Sequence, residues 1–315
     1  MKPSPTMHSA TATGTTSSAK SSLSGTPRVK KITLSLEEVK QLQLEMLSTV
    51  HEFCQDNGLR YFLIGGTLLG AIRHKGYIPW DDDIDIAMPR PDYEKFLQTF
   101  QHDRFYAKDY LLDKKWPECY AKVMARDTLQ SNPSFLYKGN GVWIDIFPLD
   151  GCPSTKMSLW WHRHLHLVIG YLRFHKRRPL GMYLHDETHW ARKHLPYKLL
   201  SYLVPLRWLM ALEYWLLHHL DYEGAKRIVY WGASPAVLDK SFSKEAFASV
   251  VPVTFEQYTL FSPVGWDEFL RIRYGDYMTL PPIEERVLQH LHGAWKLVAE
   301  GSPAHQGTGI QGHGT

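Results

Sequence analysis

An α+β fold is predicted for this chain of 315 residues from three observations. The runs Asp83–Met88 and Val142–Phe147 alternate in character along the chain, the pattern of half-buried strands. From Leu36 onward, apolar residues recur at roughly helical spacing. Between residues 159 and 220 lies a long helix-compatible stretch crowded with Trp, His, Arg and Lys.

The elements follow in order. Residues 1–32 are rich in Ser, Thr, Ala and Pro and nearly devoid of large apolar side chains. Such a segment buries too little surface to offset its ordering entropy, and it is expected to be disordered. It has neither the apolar core of a secretory signal nor the Arg-rich amphipathic pattern of a transit peptide. Ser35 and Glu38 form a capping box for a helix that carries Leu36, Val39, Leu42, Leu47, Val50 and Phe53 and stops at Asn57-Gly58. Leu59–Ile64 is a β-type run broken by Gly65-Gly66. Thr67–His74 reads as a short helix and Lys75–Pro79 as a loop.

After the Asp83–Met88 strand, Pro89–Gln101 reads as a helix and Phe105–Leu136 as further strands. The Val142–Phe147 strand is expected to end in a turn over Pro148–Pro153. The helix-compatible stretch holds Trp160, Trp161, Trp190, Trp208 and Trp215 with a basic knot of Arg173, Lys176, Arg177 and Arg178. A break at Gly232–Pro235 precedes a last segment with Arg271–Tyr277 and Pro281-Pro282, and residues 299–315 read as a flexible tail.

The net charge of +4 is mild and local, and no nucleic-acid partner is expected. Cys54, Cys119 and Cys152 are odd in number and widely spaced, which argues against a disulfide framework or a zinc site and for a reducing cytoplasmic compartment. His162, His164, His166, His218 and His219 lack regular pairing with carboxylates, and no second metal site is expected there.

Successive strand residues face opposite sides, so Asp83 and Asp85 project together while Ile84 and Ile86 bury. Asp145 sits between Ile144 and Ile146 in the same context. Three converging carboxylates repel one another unless a cation neutralises them, and oxygen-only ligation selects Mg²⁺ or Mn²⁺. Gly65 and Gly66 permit close approach of a ligand, and Thr67 opens a helix whose free N–H groups favour a phosphate. Arg73 is the expected second phosphate contact, and Asp81 and Asp82 are expected to orient the metal ligands. The glycines do not make GxGxxG. An EF-hand loop from Asp81 is excluded by Ile86 and Asp92, where Gly and Glu are required.

Gly65–His74, Gly76–Ile86 and Trp143–Asp150 resemble the LicD family of phosphotransferases, whose domain is shared with fukutin and the fukutin-related protein. A weaker echo lies in Tyr274–Met278, Pro281-Pro282 and His290. The resemblance implies a nucleotidyltransferase-like small mixed sheet flanked by helices. On that reading residues 33–155 are the catalytic core, 156–235 a helical basic and aromatic subdomain, and 236–298 the C-terminal part of the catalytic domain.

The implied reaction moves a phospho-alcohol such as phosphocholine from a CDP-activated donor to a sugar hydroxyl of a surface glycan or lipopolysaccharide, releasing CMP. Asp83 and Asp85 would hold the metal, Gly66 and Thr67 the donor phosphates, and Asp145 would complete the metal site or act as base. His290 would stand near the metal site. Rival readings are a glycosyltransferase using Asp83-Ile84-Asp85 as its DxD motif, a non-catalytic glycan-binding pseudoenzyme, and a template-type nucleotidyltransferase. No part of 159–220 reaches about 18 uninterrupted apolar residues. Peripheral attachment of this stretch to the inner membrane face is one expectation, and a helical cover over the sheet is the other.

Overall fold

The computed structural model describes residues 29–131, 140–184, 189–231, 240–287 and 293–299. The strands are β1 (Val29–Thr33), β2 (Phe62–Leu63), β3 (Asp85–Pro89), β4 (Phe105–Lys108), β5 (Ala121–Ala125), β6 (Thr128–Gln130), β7 (Trp143–Gly151), β8 (Arg227–Val229), β9 (Phe242–Ser243), β10 (Val250–Phe255), β11 (Tyr258–Pro263) and β12 (Ala294–Ala299). The helices are α1 (Leu36–Asp56), α2 (Gly65–Arg73), α3 (Arg90–Thr99), α4 (Lys156–Arg177), α5 (Gly181–Leu184), α6 (His189–Leu203), α7 (Leu206–His218) and α8 (Trp266–Tyr274). Helices and strands thus combine in an α+β fold.

Residues Lys31–Leu297 form one compact unit; Met1–Lys30 with Val298–Thr315 form a second, most of which lies outside the described residues. Val29–Thr33 is extended and exposed, so strand structure begins inside the segment 1–32 for which disorder was expected.

A mixed sheet organises the larger unit in the order β2-β3-β7-β5-β4, with β8 and β9 continuing from β7. β3 and β7 run parallel, whereas β2–β3, β5–β7, β4–β5, β7–β8, β8–β9, β10–β11 and β6–β12 are antiparallel. β10 and β11 form a hairpin, and β12 pairs with β6.

α1 forms as its capping box requires: Ser35 N–H donates to Glu38 Oε2 at 2.7 Å, and Glu38 N–H to Ser35 Oγ at 3.2 Å. Its buried stripe of Val39, Leu42, Met46, Leu47, Val50 and Cys54 packs against β5 and β7. Each fully buried Val or Leu in it contributes about 1.5–3 kcal/mol. α4, α6 and α7 pack together, and Ile169, Leu209, Leu216 and Leu217 bury with Val229 and Trp231 in a separate apolar cluster.

β7 runs on to Gly151, correcting the turn expected over Pro148–Pro153. β5 accompanies β7 only as far as Ile146, and β8 joins it at Asp150 and Gly151. Pro148 falls between the two, where β7 has β3 on one side alone and a missing N–H is tolerated. The strand is anchored there by Asp150, whose fully buried carboxylate accepts from Arg90 Nε at 2.6 Å and a second guanidinium nitrogen at 2.7 Å. Arg90 opens α3, so this pair clamps helix to sheet. Asp150→Ala leaves the buried guanidinium unpaired and is expected to lower unfolding free energy by about 3–5 kcal/mol. Urea unfolding checks this; an unchanged midpoint would contradict it.

Candidate active site

The parallel register of β3 on β7 sets Asp85 beside Asp145, and the antiparallel register of β5 on β7 sets Lys122 on the other side of Asp145. Asp85, Asp145 and Lys122 therefore make one rung across three strands that lie about 4.8 Å apart. Ile84, Ile86, Ile144 and Ile146 are fully buried, as the alternation requires. Lys122 donates to Asp145 Oδ1, with 5 % and 8 % of the two residues exposed. Its ammonium also lies 4.5 Å from the ring centre of Trp143 and 5.2 Å from that of Tyr120.

Asp83 precedes β3, which starts at Asp85 rather than at Asp83 as the alternation predicts. The Asp83 carboxyl is nonetheless pushed well above the usual carboxylate range, first by burial and then by the charges of Asp85 and Asp145. Burial raises Asp85 to about 8, helped by Asp145 and Asp81 and opposed by Lys122 and Arg273. Asp81 is likewise raised to about 8, by burial and then by Asp83. Asp81, Asp83 and Asp85 thus share one electrostatic environment with Asp145, and these three favour protonation or a cation.

α2 meets this cluster with its N-terminus. Gly65 takes φ +58°, and a Cβ there would lie 2.9 Å from Asp85 Oδ2; a Cβ on Gly66 would collide with Asp81 Oδ2. No side chain caps α2, whose first turn is Gly65, Gly66 and Thr67. As in any helix, the opening N–H groups have no helical partner, and here no side chain takes one up.

Thr67 is buried and its hydroxyl accepts from Asp85 N–H at 2.8 Å, so it fixes the backbone of Asp85. From behind, Gln43 Nε2, on a residue only 2 % exposed, donates to Asp82 O at 3.1 Å and to Trp143 O at 3.2 Å. One α1 side chain thereby ties the aspartate loop to the start of β7.

Asp82 is buried in that loop. Arg73 lies at the far end of α2, where its guanidinium donates to Tyr277 O at 2.8 Å and Thr279 O at 3.4 Å. It anchors the segment after α8 rather than standing at the helix N-terminus. Asp276 accepts from Thr279 Oγ1 at 2.6 Å. His290 lies outside the described residues.

The cations that act on the aspartates are Lys122 and Arg273, and neither was singled out from the sequence. Lys122 had a signal: it is the single charge in the apolar run Ala121–Ala125. Arg273 comes from α8, distant in sequence, and its buried Nε–H has no partner among the described residues.

The oxygen-only donors Asp83, Asp85 and Asp145 suit a hard divalent cation, and their mutual repulsion favours one. Among the described residues, Cys119, His166 and Glu213 are a further group, whose ligand atoms all lie within 4.8 Å of one another.

Residues 58–177, which contain this rung and the N-terminus of α2, match the LicD/FKTN/FKRP nucleotidyltransferase domain family. Over that stretch the chain is similar to the LicD family. It is 29% identical over 279 residues to the lipopolysaccharide cholinephosphotransferase LicD of Haemophilus influenzae, an alignment covering 85% of this chain and all of that protein. An uncharacterised protein of Rickettsia prowazekii is 32% identical over 123 residues, 30% of this chain and 46% of its own length. The mouse ribitol 5-phosphate transferase FKRP is 58% identical over 31 residues, 10% of this chain and 6% of that protein.

Gly65→Ala forces a side chain into a left-handed backbone and against Asp85. The expected cost is about 1–2 kcal/mol for the backbone conformation alone. Chemical denaturation measures it, and unaltered stability would contradict the close approach of α2 to β3.

Proposed function

We propose that this chain transfers a phospho-alcohol from a CDP-activated donor to a hydroxyl of a glycan or lipopolysaccharide, releasing CMP. The observation that carries the reading is the Asp85–Asp145 rung with the uncapped N-terminus of α2 laid against it. Similarity over 85% of the chain to a lipopolysaccharide cholinephosphotransferase supports the phospho-alcohol and the acceptor class. The short similarity to a ribitol 5-phosphate transferase supports the wider substrate class.

The N–H groups of Gly65, Gly66 and Thr67 bind anionic oxygens of the donor diphosphate, and the helix dipole favours that charge. Asp83, Asp85 and Asp145 would hold Mg²⁺ or Mn²⁺, which when bound offsets charge developing on the phosphoryl oxygens. Thr67 and Gln43 keep the carboxylates in place. The acceptor oxygen forms a bond to the phosphorus bearing the alcohol, the bond from that phosphorus to the bridging oxygen breaks, and CMP leaves with the electron pair. Asp145, with Lys122 on one oxygen, either completes the metal site or takes the acceptor proton. Arg273 adds positive charge on the Asp85 side of the rung.

The helices α4, α6 and α7 carry a further part of the proposal. Trp161, Trp208 and Leu203 are 61%, 62% and 76% exposed, and Trp160, Leu199, Leu200, Tyr202 and Trp215 are exposed with them. Lys193 and Arg207 are exposed on the same helices, whereas Glu213 is buried. No helix among the described residues is long and apolar enough to cross a membrane. Exposed Trp, Tyr and Leu interleaved with basic residues favour a peripheral seat on an anionic lipid surface, where a lipid-linked acceptor would be presented.

Asp85→Asn, nearly isosteric, is expected to lower CMP release by at least 10²-fold, in line with the loss of one preorganised group at a charged transition state, while circular dichroism stays native. The assay compares CDP-choline with UDP-sugars, with Mg²⁺ or Mn²⁺ supplied. Near-normal turnover in the variant, or release of UDP rather than CMP by the parent chain, would overturn the reading. Flotation with vesicles containing phosphatidylserine is expected to carry the chain, and Trp161→Ser with Trp208→Ser to leave it behind; no co-flotation by the parent chain would count against the membrane seat.

A further inference from the structure

We propose that Cys119, His166 and Glu213 form a zinc site, separate from the aspartate rung, that fastens the helical layer to the sheet. The three residues come from different elements: Cys119 from the loop before β5, His166 from α4 and Glu213 from α7. Their ligand atoms all lie within 4.8 Å of one another. His166 is buried and Glu213 fully so. His166 Nδ1 stands 2.9 Å from Glu213 Oε1, and the two groups pair with one another. The imidazole and the carboxylate face one another beside the Cys119 sulfur, and the three donors converge on one point that a metal ion can take in place of the shared proton.

The remaining contacts leave that point to Cys119. Glu213 Oε2 is taken by Arg173, which also reaches Cys119. Arg173 lies near Glu118, and Glu118 pairs with Arg177, so the surrounding charges are already matched. A sulfur, an imidazole nitrogen and a carboxylate oxygen make a donor set of mixed softness, which suits Zn²⁺ and excludes the Mg²⁺ or Mn²⁺ that the aspartates prefer. Three protein ligands leave a fourth position for a water.

The consequence for the fold is mechanical. α4 and α7 already share an apolar cluster with Val229 and Trp231. The ion would add a direct link from both helices to the chain just ahead of Lys122, the residue that balances Asp145. Sequence spacing could not reveal the site, because its residues are dispersed over three elements.

The test uses the full chain, stripped with chelator, reloaded with Zn²⁺ and desalted. One zinc per chain is expected by mass spectrometry, and Co²⁺ in its place is expected to give a thiolate-to-cobalt charge-transfer band. Asp85→Ala should keep both signals, which separates this site from the rung. Cys119→Ser should lose the band, and His166→Gln should lose the retained zinc. Should either variant fail to fold, Zn²⁺ is still expected to raise the thermal midpoint of the stripped parent chain. Zinc absent from the desalted parent chain, cobalt bound without a thiolate band, or metal retained equally by both folded variants would overturn the proposal.

Discussion

Two carboxylates on neighbouring parallel strands govern this structure. Asp85 and Asp145 stand side by side in register, with Asp81 and Asp83 close enough to add their repulsion. A pair of like charges about 4 Å apart costs on the order of 4 kcal/mol at an effective dielectric constant near 20. Nothing in the packing of a small mixed sheet demands that arrangement. It is tolerated because the other faces of the same residues are occupied by Ile84, Ile86, Ile144 and Ile146, and because Lys122 balances one of the charges from the next strand. The neighbouring elements hold the rung in place: Thr67 fixes the Asp85 backbone, Gln43 braces the two strand entries, and two glycines let α2 come up against the carboxyls.

The helical layer answers a different constraint. α4 packs against α6 and α7, α7 also buries residues against the sheet, and the layer presents tryptophans and leucines on its outer side. Charged groups inside this layer are matched in detail, with Arg173 on Glu213 and Arg177 on Glu118. Buried pairs of this kind contribute little net stability, but losing one partner is costly. Their value is therefore in fixing how the helices sit on β5 and β7. The rung and the helical layer meet at β5, whose residue Lys122 faces Asp145 and whose preceding loop supplies Cys119.

Much of this was legible in the chain. The capping box at Ser35 and Glu38, the Asn57-Gly58 stop and the apolar–Asp–apolar alternation each have a local cause, and each is found where the local cause places it. What escaped depends on partners remote in sequence. The extension of β7 through Pro148 follows from where β5 leaves off and β8 joins. Arg73 has the right chemistry for a phosphate but is held at the other end of α2 by carbonyls of Tyr277 and Thr279. Arg273 reaches Asp85 from a helix near the end of the chain. In Lys122 the signal was present, a lone charge in an apolar strand, but its meaning required knowing which strand lay beside it.

The crowding of the rung is measurable in the free protein. A carboxyl whose folded pKa is raised binds more protons folded than unfolded, so stability falls as pH rises from about 4 towards the folded value and levels off above it. For Asp85 that folded value is about 8. The most direct measurement is a carboxyl-carbon NMR titration of Asp85 in metal-free protein, repeated with Mg²⁺. The expected result is a midpoint near 8 that drops below the ordinary carboxylate range when Mg²⁺ is added. A midpoint in the ordinary range without metal, or one that Mg²⁺ leaves unmoved, would contradict a carboxylate rung built to hold a divalent cation.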